Sequence, residues 1–154
     1  MNTVRRLLNQ KGKQVETIAP NASIVECAQR MSEQRVSSLI VTSDDTLQGI
    51  ITWHDMLDVV SEHGDRLSEV PVSEVMSTDL VTTTEEAELK KVEETMIDRH
   101  IHHVPVIKEG ELIGVVTRED ILSNRLDAAK TMNEELEDYI LSTHPGIVTS
   151  ARIL

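Results

Sequence analysis

Phenylalanine is absent from this chain, and tryptophan and tyrosine occur once each. Any core must therefore be aliphatic, built from Val, Ile, Leu, Met and Ala. The aromatic platforms on which single-stranded nucleic acid usually stacks are missing too. There is one cysteine, Cys27, so no internal disulfide can form, which fits a reducing compartment. Basic residues are scarce: 15 Lys and Arg face 27 Asp and Glu, for a formal net charge of −12. Such a surface repels phosphate backbones and anionic lipid at long range. No apolar run reaches the length of a membrane span or a signal-peptide core. These shortages lead us to expect a cytoplasmic protein with neither nucleic acid nor membrane as partner.

What is present suits a globular domain. The chain has 154 residues, 39% of them hydrophobic, enough for one good core. Cys27 falls in a helical pattern with Ile24, Ala28 and Met31, which marks it as an inert core thiol rather than a nucleophile. "NAS" at 21–23 reads as a helix opening, with Asn21 or Ser23 near the cap.

The main signal is a repeat. "GIITWHDML" (49–57) returns as "GVVTREDIL" (114–122). A constant displacement of 65 positions sets Thr52 on Thr117 and Asp55 on Asp120, and also Thr17 on Thr82, Met31 on Met96, Val41 on Val106 and Gly49 on Gly114. No gap is needed between residues 15 and 57. Two unrelated segments would not stay in register this long, so the chain is an internal duplication.

Each copy reads as β-α-β-β-α. A short strand ("VETI", "LVTT") precedes a helix over about 22–35 or 86–100. The apolar stripe of that helix is Ile24, Ala28 and Met31 in copy one and Leu89, Val92 and Met96 in copy two. Two strands in hairpin succession follow, turning at Ser43-Asp44-Asp45 and at Glu109-Gly110. A second helix starts after each Thr. The charged run "EEAELKKVEE" (85–94) reads as a solvated helix face. One copy is too small to bury both faces of its sheet, so the expected fold class is α/β (α+β), with two pseudo-symmetric units packed sheet to sheet. The expected organisation is an N-terminal helical segment (1–14), the first unit (15–62), a linker (63–74), the second unit (75–126) and a C-terminal helix and tail (127–154). "TVRRLL" reads as a short basic helix closing on the module. After the second unit Leu126, Ala129, Leu136 and Ile140 recur at roughly heptad spacing, with Asn133 among them, as for a helix packing on the module or a dimer mate.

The duplicated unit with its closing G-h-h-[ST]-x-x-D phrase (h for apolar) resembles the CBS domain, as the tandem pair known as a Bateman module. The stretch "RHIHHVPVI" resembles the strand that in this family often carries a basic residue before h-P-V. The resemblance covers about residues 15–60 and 75–126. It implies a regulatory module, not an enzyme, that binds an adenosyl nucleotide (AMP, ADP, ATP, NAD(H) or S-adenosylmethionine) between the copies and signals through a protein the sequence does not name. No prosthetic group is implied. It makes Asp55 and Asp120 the ribose acceptors and sets Thr52 and Thr117 near phosphate or ribose. It assigns adenine recognition to main-chain groups of the partner copy's first and second strands: Glu16, Thr17, Val36, Ser37 and Ser38 in copy one, with Val36-Ser37-Ser38 beside the adenine of the Asp120 cleft, and Val81, Thr82, Ile101, His102 and His103 in copy two. Arg118 stands where copy one has Trp53, so the Asp120 cleft is expected to be the stronger. Tandem modules of this family commonly pair, and Met56, Leu57 and Val60, with Ile121, Leu122 and Arg125, suit a homodimer contact.

The chemistry agrees with this assignment. A carboxylate accepts from a vicinal diol, and a helix start tolerates its charge and offers free N–H groups to phosphate. Thr-x-x-Asp is also what a plain helix cap looks like, so both readings stand at this point. Trp53 either lines the cleft or covers surface. His102 and His103, if on one strand, point to opposite faces and do not chelate a metal together; no metal site is expected. Cys27 is the wrong kind of cysteine for catalysis, and no nucleophile motif accompanies it. The alternative to a nucleotide sensor is a ligand-free dimerisation or adaptor module.

Overall fold

The computed structural model describes residues 2–143. In chain order the elements are α1 (Val4–Lys11), β1 (Thr17–Ile18), α2 (Ile24–Gln34), β2 (Ser38–Ser43), β3 (Thr46–Thr52), α3 (Trp53–His63), a 3-10 turn (Gly64–Glu69), α4 (Val72–Val75), α5 (Leu89–Arg99), β4 (His103–Lys108), β5 (Glu111–Thr117) and α6 (Arg118–Thr143). The chain divides into a body that ends at Thr117 and a second unit that begins at Arg118.

The duplication is visible in the backbone. β2 pairs antiparallel with β3 (Ser38 opposite Thr52, Leu39 opposite Ile51), and its bulge lies between Val41 and Thr42. β4 pairs with β5 in the same register (His103 opposite Thr117, Val104 opposite Val116), with its bulge between Val106 and Ile107. Both hairpins turn on two residues of positive φ, Asp44 (50°) and Asp45 (62°) in one, Glu109 (51°) and Gly110 (81°) in the other. That is the primed turn whose twist matches a right-handed ladder. The turn therefore sits on Asp44-Asp45, with Ser43 still in the strand. Even the helix ends agree: Arg35 (φ 54°, ψ 45°) and His100 (φ 54°, ψ 43°) terminate α2 and α5 in the left-handed region.

The copies differ at their first strand. β1 runs parallel to β2, with Thr17 opposite Ile40 and Ile18 opposite Val41. In copy two the expected strand "LVTT" is reduced to one bridge, Thr83 to Val106. Pro105, which stands where copy one has Ile40, has no N–H to give that ladder.

The two sheets face each other, as expected. Ile40 and Ile50 from one meet Val115 from the other, flanked by Val15, Leu47, Leu80 and Leu112. Ile50 and Val115, Val15 and Leu80, and Leu47 and Leu112 are equivalents across the repeat, so this layer lies on the pseudo-two-fold relation. The other face of the first sheet buries Leu39, Val41 and Ile51 under Ile24, Cys27, Met31 and Val59. Ala28 is exposed, which corrects the expected stripe of α2: the buried side is Ile24, Cys27 and Met31. Four-residue spacing from Ile24 overshoots the buried face, while Cys27, three residues on, points inward.

The helices that precede the copies are exchanged. α1 stands before copy one yet docks on copy two: Val4 N–H donates to Ala87 O (2.9 Å), Arg5 N–H to Glu85 O (2.8 Å) and Leu89 N–H to Asn2 O (3.0 Å). α4 stands before copy two and docks on copy one in the same way: Val72 N–H to Ala22 O (2.8 Å), Ser73 N–H to Pro20 O (2.9 Å) and Ile24 N–H to Val70 O (3.0 Å). This explains the glycine that opens the repeated phrase. A Cβ on Gly49 would sit 2.7 Å from Met76 Sδ and 2.7 Å from Ser77 O, and one on Gly114 would sit 2.8 Å from Leu8 Cδ2. Each exchanged helix presses a side chain onto the glycine of the copy it visits.

Candidate functional site

The Thr-x-x-Asp phrase of copy one forms a capping box. Thr52 ends β3 and is the N-cap of α3. The Asp55 N–H donates to Thr52 Oγ1 at 3.5 Å, while Asp55 Oδ2 accepts from Thr52 N–H (2.8 Å) and from Thr52 Oγ1 (3.1 Å). The capping reading is thus realised. Both bonds to the carboxylate fall on Oδ2, so the box orients the group while Oδ1 takes no part in it. The strand beside it supplies Ser37 and Ser38: Trp53 N–H donates to Ser37 O at 3.0 Å, and Ser38 pairs with Thr52. Ser37, Ser38, Thr52 and Asp55 are therefore one neighbourhood.

Asp55 borders a cleft of about 230 Å³ whose other polar groups include Asp58, Glu62, His63 and Glu74, on a base of Val59 and Val70. Among the described residues no Lys or Arg lines it. Trp53 is half exposed and lies against the His54 ring at 4.4 Å between centroids; it is absent from the cleft wall.

The other expected residues spread out. Val36 packs against the core of copy one. Thr17 begins β1, and its carbonyl accepts from Arg30 at 2.6 Å. Val81 and Thr82 line a groove of about 190 Å³ with Thr83, Lys91 and Thr95. Ile101 N–H closes the end of α5 on Met96 O (3.0 Å). His103 opens β4 opposite Thr117. His102 lies before β4 and is exposed, which corrects the premise that the two histidines share a strand. His100 serves as the left-handed end of α5. Among the described residues no group of His, Cys, Asp and Glu stands close enough to hold a metal. Arg118 and Asp120 lie in the first turn of α6.

Sequence reasoning missed Glu85. It belongs to the charged run expected to be solvated, yet it is 3% exposed. Its Oε1 accepts from Arg5 Nη2 at 3.0 Å and Lys108 Nζ at 2.6 Å. Those two hydrogen bonds hold its carboxyl down to about 2. Glu85 precedes α5, which starts at Leu89, so the helical-face reading did not apply to it. The available signal was its equivalent, Pro20, where α4 docks. Ser23 does cap α2, accepting from Glu26 N–H at 3.1 Å. Cys27 is fully buried, and burial pushes its thiol up to about 11, as an inert core thiol requires.

Among the described residues no helix is long and apolar enough to cross a membrane. The family model for the CBS domain matches twice, over residues 11–62 and 72–127. A CBS domain-containing protein of Bacillus subtilis, YhcV, is 32% identical over 113 residues, which cover 73% of this chain and 80% of that one. An uncharacterized protein of Methanopyrus kandleri is 31% identical over 129 residues, 82% of this chain and 66% of that one. The crystal structure of a CBS-domain containing protein from Agrobacterium tumefaciens aligns with a TM-score of 0.77 at 29% identity, covering 80% of this chain and 99% of that one. The CBS domain pair of protein MJ0100, solved with 5′-methylthioadenosine and S-adenosyl-L-methionine, aligns with a TM-score of 0.72 at 26% identity, over 84% and 98% of the two chains. With two matched copies, a constant register between them and sheets packed face to face, this chain belongs to the CBS-domain family as a tandem pair.

Proposed function

We propose that this chain is a regulatory module, not an enzyme, that binds an adenosine derivative at Asp55 and signals through a partner protein. The observation that carries the reading is the capping box. It fixes a half-buried carboxylate at a helix start with Oδ1 outside the box, a suitable acceptor for a ribose hydroxyl. A structural relative that binds adenosine derivatives supports it.

The cleft beside Asp55 refines the ligand. Asp58, Glu62 and Glu74 surround it, with no Lys or Arg among the described residues, and the chain carries −12 overall. Polyphosphate is disfavoured in such a field. A neutral or cationic adenosine compound, such as 5′-methylthioadenosine or S-adenosylmethionine, suits copy one better than ATP or NADH. Asp120 is the proposed acceptor of copy two, where Arg118 suits a phosphorylated ligand such as AMP. The test is thermal unfolding with each of these compounds. A ligand at a hundred-fold excess over its dissociation constant stabilises by about 2.7 kcal/mol. Asp55→Ala should cut the shift from S-adenosylmethionine by about half or more, and Asp120→Ala that from AMP. No shift with any compound contradicts the reading.

The dimerisation reading rests on a different observation. Trp53, Leu57 and Val60 are 50%, 55% and 48% exposed on α3, at spacings that put them on one face. We propose this face as the contact with a second copy. Met56, expected there too, turns instead toward the core of copy one. Sedimentation at micromolar protein should give a dimer mass, and Leu57→Glu should give a monomer.

A further inference from the structure

The groove in copy two lies where the copies differ in what covers the edge of the first strand. β1 is the edge of its sheet. The Glu16 carbonyl accepts from Ile40 N–H at 3.1 Å, so by alternation the Thr17 carbonyl faces outward. Arg30 crosses from α2 and covers it, Nη1 donating at 2.6 Å. In copy two the arginine is replaced by Thr95, 65 positions on. Its hydroxyl donates to Lys91 O at 3.0 Å, within its own helix, and so does not cover the edge at Thr82. About 190 Å³ is left open, lined by Val81, Thr82 and Thr83 and by Val92 and Val104.

The charge changes in the same place. Lys91 stands where copy one has Glu26. It lines the groove, and its ammonium is committed to no ion pair among the described residues. A cation, threonine hydroxyls and a floor of buried valines define an anion with an apolar body. The size sets a limit. The groove is small beside pockets for drug-sized ligands, which hold roughly 300–1,000 Å³.

We infer that this groove is a second binding site, confined to copy two, for a small branched anion. The oxyanion lies on Lys91 and the Thr82 hydroxyl, and the apolar body on Val92 and Val104. The head group is a carboxylate or a phosphate monoester, and two probes separate these: 3-methylbutanoate and isobutyl phosphate. Amide chemical shifts of the 15N-labelled chain are followed as each is added. At least one probe should saturate, with a dissociation constant on the order of 1–10 mM, and move residues 81–83 and 91–95 alone. Thr95→Arg, which restores the residue of copy one, should abolish binding. Lys91→Glu, likewise the residue of copy one, should weaken it at least ten-fold. Both side chains border solvent, and an unchanged thermal midpoint will show that the fold is intact. Neither variant should alter the effect of S-adenosylmethionine, which keeps this site separate from the Asp55 reading. The inference is overturned if neither probe saturates, or if binding survives either Thr95→Arg or Lys91→Glu undiminished.

Discussion

At the entrance to its first helix, copy one caps α2 with Ser23 Oγ, and the exchanged helix α4 meets Pro20 through a single Ser73 N–H. The same entrance in copy two has Glu88, which makes no side-chain cap. There Glu85, buried, is gripped by Arg5 from the exchanged helix α1 and by Lys108. The backbone bonds are the same in both places; the side chains that reinforce them are not. The comparison teaches where a duplication is constrained. Main-chain contacts fix the docking of each exchanged helix, so its hydrogen bonds and its glycine persist. Side chains around that frame have diverged, and it is there that the copies acquired different chemistry: an acidic cleft beside Asp55, an open cationic groove beside Thr82.

The largest expected effect separates the two glycines. Overpacking a close contact costs about 1–3 kcal/mol. At Gly49 the new Cβ meets the Ser77 carbonyl as well as Met76, whereas at Gly114 it meets only the end of Leu8. A side-chain methyl moves aside more readily than backbone. Urea unfolding should therefore place Gly49→Ala near the top of that range and Gly114→Ala below it. Equal losses would mean that the two docked helices are held alike.

Next come the caps. Ser23→Ala removes a bond to Glu26 N–H and should cost about 1 kcal/mol. Glu88→Ala, at the equivalent position, removes no cap and should be close to neutral. A loss at Glu88 matching that at Ser23 would erase the difference.

The ionic grip appears in acid. The Glu85 carboxyl titrates at about 2 in the folded chain against an ordinary 4.5. Its contribution is complete above 4.5 and is lost as pH falls through about 2, because the unfolded chain takes up the proton first. Between these limits the wild type should lose more stability than Glu85→Gln, whose side chain does not titrate. Parallel pH profiles would show that Arg5 and Lys108 do not depress Glu85. Copy one has no counterpart, since Pro20 occupies that position.

Much of the frame was legible because it is local and repeated. Alternation, turn residues and the constant displacement fixed both hairpins and both first helices to within a few residues. The exchange of α1 and α4 was not legible from that displacement. Val4 corresponds to Val72, three positions out of the register that relates Thr52 to Thr117, so a gapless comparison stops short of it. Glu85 was misread because composition says only that charged runs are usually solvated; two cations distant in sequence bury it. Of the candidate site, Thr52, Asp55, Ser37 and Ser38 come together because strand pairing brings them there. The lysine at 91 and the absence of an arginine at 95 carried no signal until the copies were compared in space.

The central claim is that Asp55 holds an adenosine derivative. Isothermal titration of wild type and Asp55→Ala with S-adenosylmethionine tests it most directly. Losing a hydrogen bond to a charged acceptor costs about 1.5–3 kcal/mol, or roughly ten- to a hundred-fold in affinity. We predict saturable binding to wild type and a loss of that size in the variant, with the fold retained. Equal binding by the two proteins, or none by wild type, would contradict the account.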